Sequence, residues 1–320
     1  MKVVLVLAVP VLLVAGATAT IWYRLEAPGP LTQARDIVVP RGGLGTTADA
    51  LAREGVIDDP LLFRLLALVT HKDGELRAGE FSFPTQARLA EVLHVLRTAR
   101  PVQHRLTIPE GLTARQIVHL LNQATTLAGD SPAIEEGSLL PQTYAFERGT
   151  QRAAVTARAK GLMNKALADA WAARIPGLPL ADAREALVLA SIVERETAKP
   201  NERPRVAAVF LNRLRQGMRL QSDPTVVYAA SDGAGVLDHP ITRADLDHDS
   251  PFNTYKIKGL PPTPISAPGA ASIQAVLHPE TTDELYFVAD GTGGHAFART
   301  MEDHNRNVAR WRALANPPAR

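Results

Sequence analysis

The sequence predicts an α+β protein, with an N-terminal transmembrane helix, a small αβ module and a mostly helical α+β domain that ends in a short antiparallel hairpin. Three observations lead there. Residues Val3–Tyr23 carry no charge, and at 1.5 Å per residue that run reaches about 30 Å, the thickness of a hydrocarbon core. Between Asp36 and Asn122, short β-rich runs that end in proline are each followed by a turn and a helical pattern. From Gln151 onward helical periodicity dominates until a glycine-rich turn near the C-terminus.

The apolar N-terminus follows Lys2 and ends in Trp22 and Tyr23, where an interfacial aromatic belt would sit. The expected orientation leaves the N-terminus in the cytoplasm and the rest of the chain outside. A cleaved signal peptide, with Ala17-Thr18-Ala19 as the small-residue site, is the alternative and exports the same residues. A Pro/Gly linker follows. Asp36–Val39 then reads as a strand, with a helix over Thr47–Glu54 stopped by Gly55. Asp59 caps and Pro60 begins a leucine-rich helix. Glu80–Phe83 with a helix over Gln86–Arg97, and Leu106–Gly111 with a helix over Thr113–Asn122, repeat the strand–turn–helix pattern. A loop-rich stretch leads to a long helix over Arg152–Arg174, then to a helix that Asp182 starts and that carries Glu194. A further helix runs from Pro204 to Gly217. Leu285–Ala289 and His295–Ala298 flank Asp-Gly-Thr-Gly-Gly as a hairpin, and a last helix covers Met301–Leu314.

Composition removes several function classes. The 320 residues suffice for two or more domains. A net charge of +2 without a basic stripe argues against a nucleic-acid partner. The absence of cysteine excludes thiolate metal sites, cysteine nucleophiles and disulfides. The histidines never fall into HExxH spacing, and His278, Glu280, His295 and His304 have no metal-site signature. Neither a metal nor a cofactor is expected.

The chemistry concentrates between Leu187 and Tyr228. From Ala186 to Val193 every residue is apolar or small, the pattern of a helix buried on all sides. Glu194 and Glu196 follow at its end. Burial disfavours the charged form of a carboxyl, and a general acid working near neutrality needs that effect. Helical geometry does not choose between the two glutamates, and pairing with Arg195, Lys199 or Arg205 is the plainer alternative. Gln221-Ser222-Asp223-Pro224-Thr225 offers polar groups, although Asp223 before proline also reads as a helix cap. Thr242–Asp245 is a capping box to which no chemistry is assigned. Ser250–Gly269 holds five prolines, and its Phe252, Asn253, Thr254 and Tyr255 provide the aromatic and amide surface that suits a sugar.

Several linked segments resemble one family, the MltG-type (YceG-like) endolytic murein transglycosylases. They are LASIVERET (189–197), VAAVFLNRLRQGMRLQSDPTVVY (206–228), NTYKIKGLPP (253–262), ISAPG (265–269) and LYFVADGTGGHAFARTMEDHN (285–305), with TIPEG (107–111) and LLPQTY (139–144) upstream. Gln142 stands where the family usually has aspartate, and Thr263 where it often has glycine. The resemblance implies a membrane-anchored bacterial enzyme on the outer face of the cytoplasmic membrane. It would cleave MurNAc–GlcNAc bonds inside peptidoglycan glycan strands and leave 1,6-anhydroMurNAc ends, beside peptidoglycan synthases. A muramidase-type hydrolase and a non-catalytic peptidoglycan-binding protein are the alternatives.

The resemblance places the catalytic acid at Glu194. Gln221, Asp223, Thr225, Asn253, Thr254, Tyr255 and Glu196 are expected to bind substrate or orient the acid, and the apolar helix to keep Glu194 protonated. The implied organisation is an anchor over 1–24, a linker over 25–35, a LysM-like module over 36–105, a connecting segment over 106–150 and the catalytic domain over 151–320.

Overall fold

The computed structural model describes residue 20 and residues 22–315, and these form two compact units. The first comprises residues up to 104 together with 145–149, and the second residues 105–144 together with 150 onward. The expected anchor lies almost wholly outside the described residues. Among the described residues, no helix is long and apolar enough to cross a membrane.

In the first unit β1 (Arg35–Val39) pairs antiparallel with β2 (Gly79–Phe83), with Ile37 opposite Phe81. Alternation along the strands sends Ile37, Val39, Phe81 and Phe83 inward, where they meet Leu51 of α1 (Leu44–Arg53), Phe63 of α2 (Pro60–Val69) and Leu96 of α3 (Leu89–Thr98). Asp59 caps α2 as expected, accepting from the Leu62 amide at 2.9 Å. Two boundaries differ from the sequence pattern. Helix α1 begins three residues early, because Gly43 rather than a polar residue occupies its N-cap. Helix α3 begins at Leu89 instead of Gln86, because Gln86 takes φ 52° and so lies outside the right-handed helical region.

In the second unit the ends of β3 (Gln103–Thr107) and β4 (Thr143–Glu147) meet at a Thr107–Thr143 hydroxyl pair, 2.8 Å apart. The helices are α4 (Ala114–Gln123), α5 (Arg152–Ala172), α6 (Ala183–Glu196), α7 (Arg203–Arg215), α8 (Asp223–Ala230), α9 (Arg243–Asp247) and α10 (Ala270–Leu277). The hairpin β5–β6 (Tyr286–Ala289, His295–Ala298) and α11 (Met301–Ala315) close the unit. Helix α6 is its axis. Every residue from Ala186 to Val193 is buried, and α5, α7, α8 and α10 all pack on it. Leu189, Ile192 and Val193 share one core with Val206 and Phe210 of α7 and with Ile273 and Val276 of α10. The uninterrupted apolar run in the sequence therefore reflects a helix that is covered on all sides.

Candidate active site

The core helix brings two carboxyls to its C-terminal turn and points them at different partners. Glu194 lies where three helix ends meet. Its side chain is 4% exposed. One oxygen accepts from Nη2 of Arg203, the first residue of α7, at 3.0 Å. The other accepts at 2.8 Å from the amide of Gly269, the N-cap of α10. A guanidinium and a helix N-cap amide therefore hold the two carboxyl oxygens. The sequence pattern predicted an apolar setting there; the side chain is enclosed, but both of its oxygens have polar partners. Neither Arg195 nor Lys199 nor Arg205 pairs with Glu194. Arg195 instead donates to the carbonyls of Gly111 and Gly235.

The segment ISAPG assembles this corner. The hydroxyl of buried Ser191, one turn before Glu194, accepts from the Ile265 amide at 3.0 Å, and Ser266 Oγ donates to the Ser191 carbonyl at 3.2 Å. Ala267 then exchanges backbone hydrogen bonds with Gly111 and Leu112, at 2.9 and 2.8 Å. Gly111, at φ +77°, turns the TIPEG loop sharply, and the loop's Glu110 comes to rest beside Glu194.

Glu110 Oε2 lies 3.4 Å from the same Arg203 Nη2. Partial burial, and then the Glu194 charge, raise the Glu110 carboxyl above its usual range, while Arg203 pulls it down. Sequence reasoning missed Glu110. Its only signal was membership of the TIPEG segment, read there as a strand followed by proline and a turn. Arg203 Nε is buried and has no hydrogen-bond partner among the described residues, an orphaned donor in the middle of the cluster.

Glu196 faces the other way. Its carboxylate accepts from Ser222 Oγ at 2.7 Å. Burial pushes this carboxyl up to about 7, and Asp223 adds to the rise, against the Ser222 hydrogen bond and the more distant His295 and Arg213. By acidity alone Glu196 therefore matches a neutral-pH acid. Sequence resemblance points to Glu194 instead.

The remaining expected site residues divide into surface and interior. Gln221 is exposed, with its backbone in the left-handed region at φ 49°, and its amide donates to the Thr254 carbonyl at 3.2 Å. Asp223 is exposed and accepts from Tyr255 Oη at 2.7 Å, so it does not serve as the predicted side-chain cap of α8. These three residues keep surface with which to meet a ligand.

Thr225, Thr254 and Asn253 do not, because all three are 0% exposed. The two threonine hydroxyls bond each other at 2.8 Å, and Thr254 Oγ1 accepts from the Ser222 amide at 2.9 Å. Asn253 Nδ2 donates to the carbonyls of Leu246 and His248, at 3.1 and 2.8 Å. The substrate-binding or orienting role expected of these three finds no exposed surface here. Their polar groups are used up in fixing the proline-rich loop on α8 and α9, as buried polar groups require. Asn253→Ala is accordingly expected to lower stability by about 1–2 kcal/mol, because buried carbonyls lose their donor. A thermal melt checks this, and an intact melt with weakened substrate binding would restore the contact role.

The proline-rich loop does shape a groove. Gly259–Pro262, together with Asp182, Glu185 and Val188, lines a cavity of about 460 Å³. A second cavity, of about 300 Å³, is lined by Tyr228, Asp232, His248 and Phe252. Neither is lined by Glu194 or Glu196.

Comparison with known proteins bears on this arrangement. The model of the YceG-like family matches residues 37–310. An endolytic murein transglycosylase of Bacillus subtilis is 45% identical over 120 residues, which cover 38% of this chain and 32% of that protein. One from Streptococcus pneumoniae is 30% identical over 325 residues, covering 85% of this chain and 57% of that protein. The chain thus spans little more than half the length of the Streptococcus relative. The crystal structure of a YceG-like protein from Listeria monocytogenes superimposes with a TM-score of 0.52 at 28% identity, covering 86% of this chain and 99% of that one.

Proposed function

This chain belongs to the YceG-like family, and from that premise we propose that it is an endolytic lytic transglycosylase of peptidoglycan. It cleaves the MurNAc–GlcNAc bond within glycan strands, and Glu194 serves first as acid and then as base. The observation that carries this reading is the Glu194 cradle, a single nearly enclosed carboxyl held by Arg203 and the Gly269 amide.

Protonated Glu194 gives its proton to the GlcNAc O4 as the bond from C1 of MurNAc to that oxygen breaks. The resulting carboxylate is stabilised by the guanidinium and the amide while positive charge builds on the sugar ring. The MurNAc 6-hydroxyl then bonds to C1, and its proton returns to Glu194. The cycle consumes no water and no net proton, so it needs no second carboxylate to activate water, unlike an inverting hydrolase. Gln221, Asp223 and Tyr255 are the residues with surface left to contact the strand.

The first unit fits a LysM-like glycan-binding module in its content: an antiparallel strand pair and helices α1–α3 around one small core. The uncharged run Val3–Tyr23 supports a single-pass anchor in the cytoplasmic membrane, with both units on its outer face. An enzyme so placed acts on strands as they are polymerised, and peptidoglycan synthases are the fitting partners.

Mass spectrometry of glycans digested by the full-length protein in detergent tests the reaction. Products that end in anhydroMurNAc, lighter by one water than a hydrolase product, are expected. Reducing MurNAc ends would identify a hydrolase, and uncleaved but bound glycan a binding protein.

A further inference from the structure

The proposed acid must hold a proton before it can donate one, and the same corner contains a second carboxyl. Arg203 Nη2 is shared by two carboxyls, Glu194 at 3.0 Å and Glu110 at 3.4 Å. One cation against two ionised carboxyls leaves the cluster with a net negative charge, and a single retained proton neutralises it. The two carboxyls also differ in access, with the Glu110 side chain 44% exposed and that of Glu194 4% exposed.

The approach of Glu110 depends on Gly269. A Cβ at that position would lie 1.8 Å from Glu110 Oε1. The residue whose amide holds Glu194 thus also lacks the side chain that would exclude Glu110.

We propose that Glu110 is a positioning residue for the reaction: with Glu194 it holds one proton over Arg203, and it connects that proton to solvent. This rests on Glu194 being the acid. The charged and titratable groups that face the pair are few. Helix α6 contributes Glu194, and Arg195 beside it, which is engaged with the Gly111 and Gly235 carbonyls. Helix α7 contributes Arg203. Helix α10 contributes only its amide end, since Ala270–Leu277 contains no titratable side chain. No atom is gained or lost in the transfer. The proton moves from the Glu110 oxygen to the Glu194 oxygen, and the negative charge moves the opposite way. The Glu110 carboxyl, raised above its usual range by burial and then by the Glu194 charge, agrees with this coupling.

The test uses the full-length protein. In Glu110→Gln, Arg203 faces one ionisable carboxyl instead of two, and no shared proton is needed to neutralise the cluster. The alkaline limb of kcat against pH is expected to move to lower pH, with about tenfold or greater loss of rate above neutrality and an unchanged KM. Gly269→Ala, which displaces Glu110 but keeps the amide, is expected to move the limb the same way, and Glu110→Asp to restore part of it. Superimposable profiles for wild type and both disruptive variants would overturn the proposal.

A second readout needs no turnover. In carboxyl ¹³C NMR, the Glu110 titration is expected to lie above the usual glutamate range and to fall in Glu194→Gln. A Glu110 titration unaffected by Glu194→Gln would also overturn the proposal. Coupled titrations in a protein that cleaves no glycan would leave the pair standing and remove the transglycosylase reading instead.

Discussion

Glu194→Gln is expected to reduce release of anhydro-ended glycan by about 10²–10⁴-fold, the range associated with losing a general acid. The substitution keeps the shape of the side chain and an oxygen for the Gly269 amide, but it cannot deliver a proton. Folding should survive. Arg203 retains Glu110 as a partner at 3.4 Å, and the core beneath, from Leu189 to Val193, is untouched. A melting temperature close to that of wild type, together with the lost rate, separates a chemical role from a structural one. Comparable losses of rate and stability would reassign Glu194 to the scaffold.

Glu196→Gln is expected to leave that rate largely intact and to change how stability depends on pH. The folded Glu196 carboxyl lies near 7, above the value of about 4.3 for an unfolded chain. Below about pH 4 both states are protonated and the group contributes no difference. As pH rises from about 4.5 to 7, the unfolded chain releases this proton while the folded chain keeps it. Stability therefore falls with rising pH across that window, and the loss is complete above the folded value. Its size is on the order of 3–4 kcal/mol. Glutamine has no such proton, so the variant should gain on wild type as pH rises from 4.5 to 7.5, reaching several degrees in melting temperature. Parallel stability curves for the two proteins would show that Glu196 is ionised and compensated in the fold. The contrast with Glu194 is physical. Glu196 is buried with one hydroxyl donor, whereas Glu194 is buried with a cation and an amide.

The sequence made the elements more legible than the contacts between them. The all-apolar run Ala186–Val193 has one structural solution, a covered helix, and α6 is that helix. The Asp59-Pro60 and Asp182 caps and the glycine turn at 290–294 also sit where their local chemistry puts them. Gln86 and Gln221 were not legible, because a positive φ on a non-glycine residue is imposed by surrounding structure and leaves no mark in composition.

The site was half legible for a related reason. Glu194 announced itself by breaking an apolar run. Its partners come from positions 110, 203 and 269, brought together by backbone pairing of ISAPG with TIPEG that no periodicity reports. Thr225, Asn253 and Thr254 looked like sugar ligands because amides and hydroxyls satisfy buried backbone and sugars with the same geometry. Only their burial separates the two uses.

Burial raises the Glu196 carboxyl toward neutrality, whereas the family resemblance points to Glu194. Glycan digested in parallel by wild type, Glu194→Gln and Glu196→Gln, with the anhydroMurNAc ends counted by mass spectrometry, decides between them. Anhydro ends should form with wild type and Glu196→Gln and be absent with Glu194→Gln. Anhydro ends from Glu194→Gln, with none from Glu196→Gln, would contradict the account and move the acid two residues along the helix.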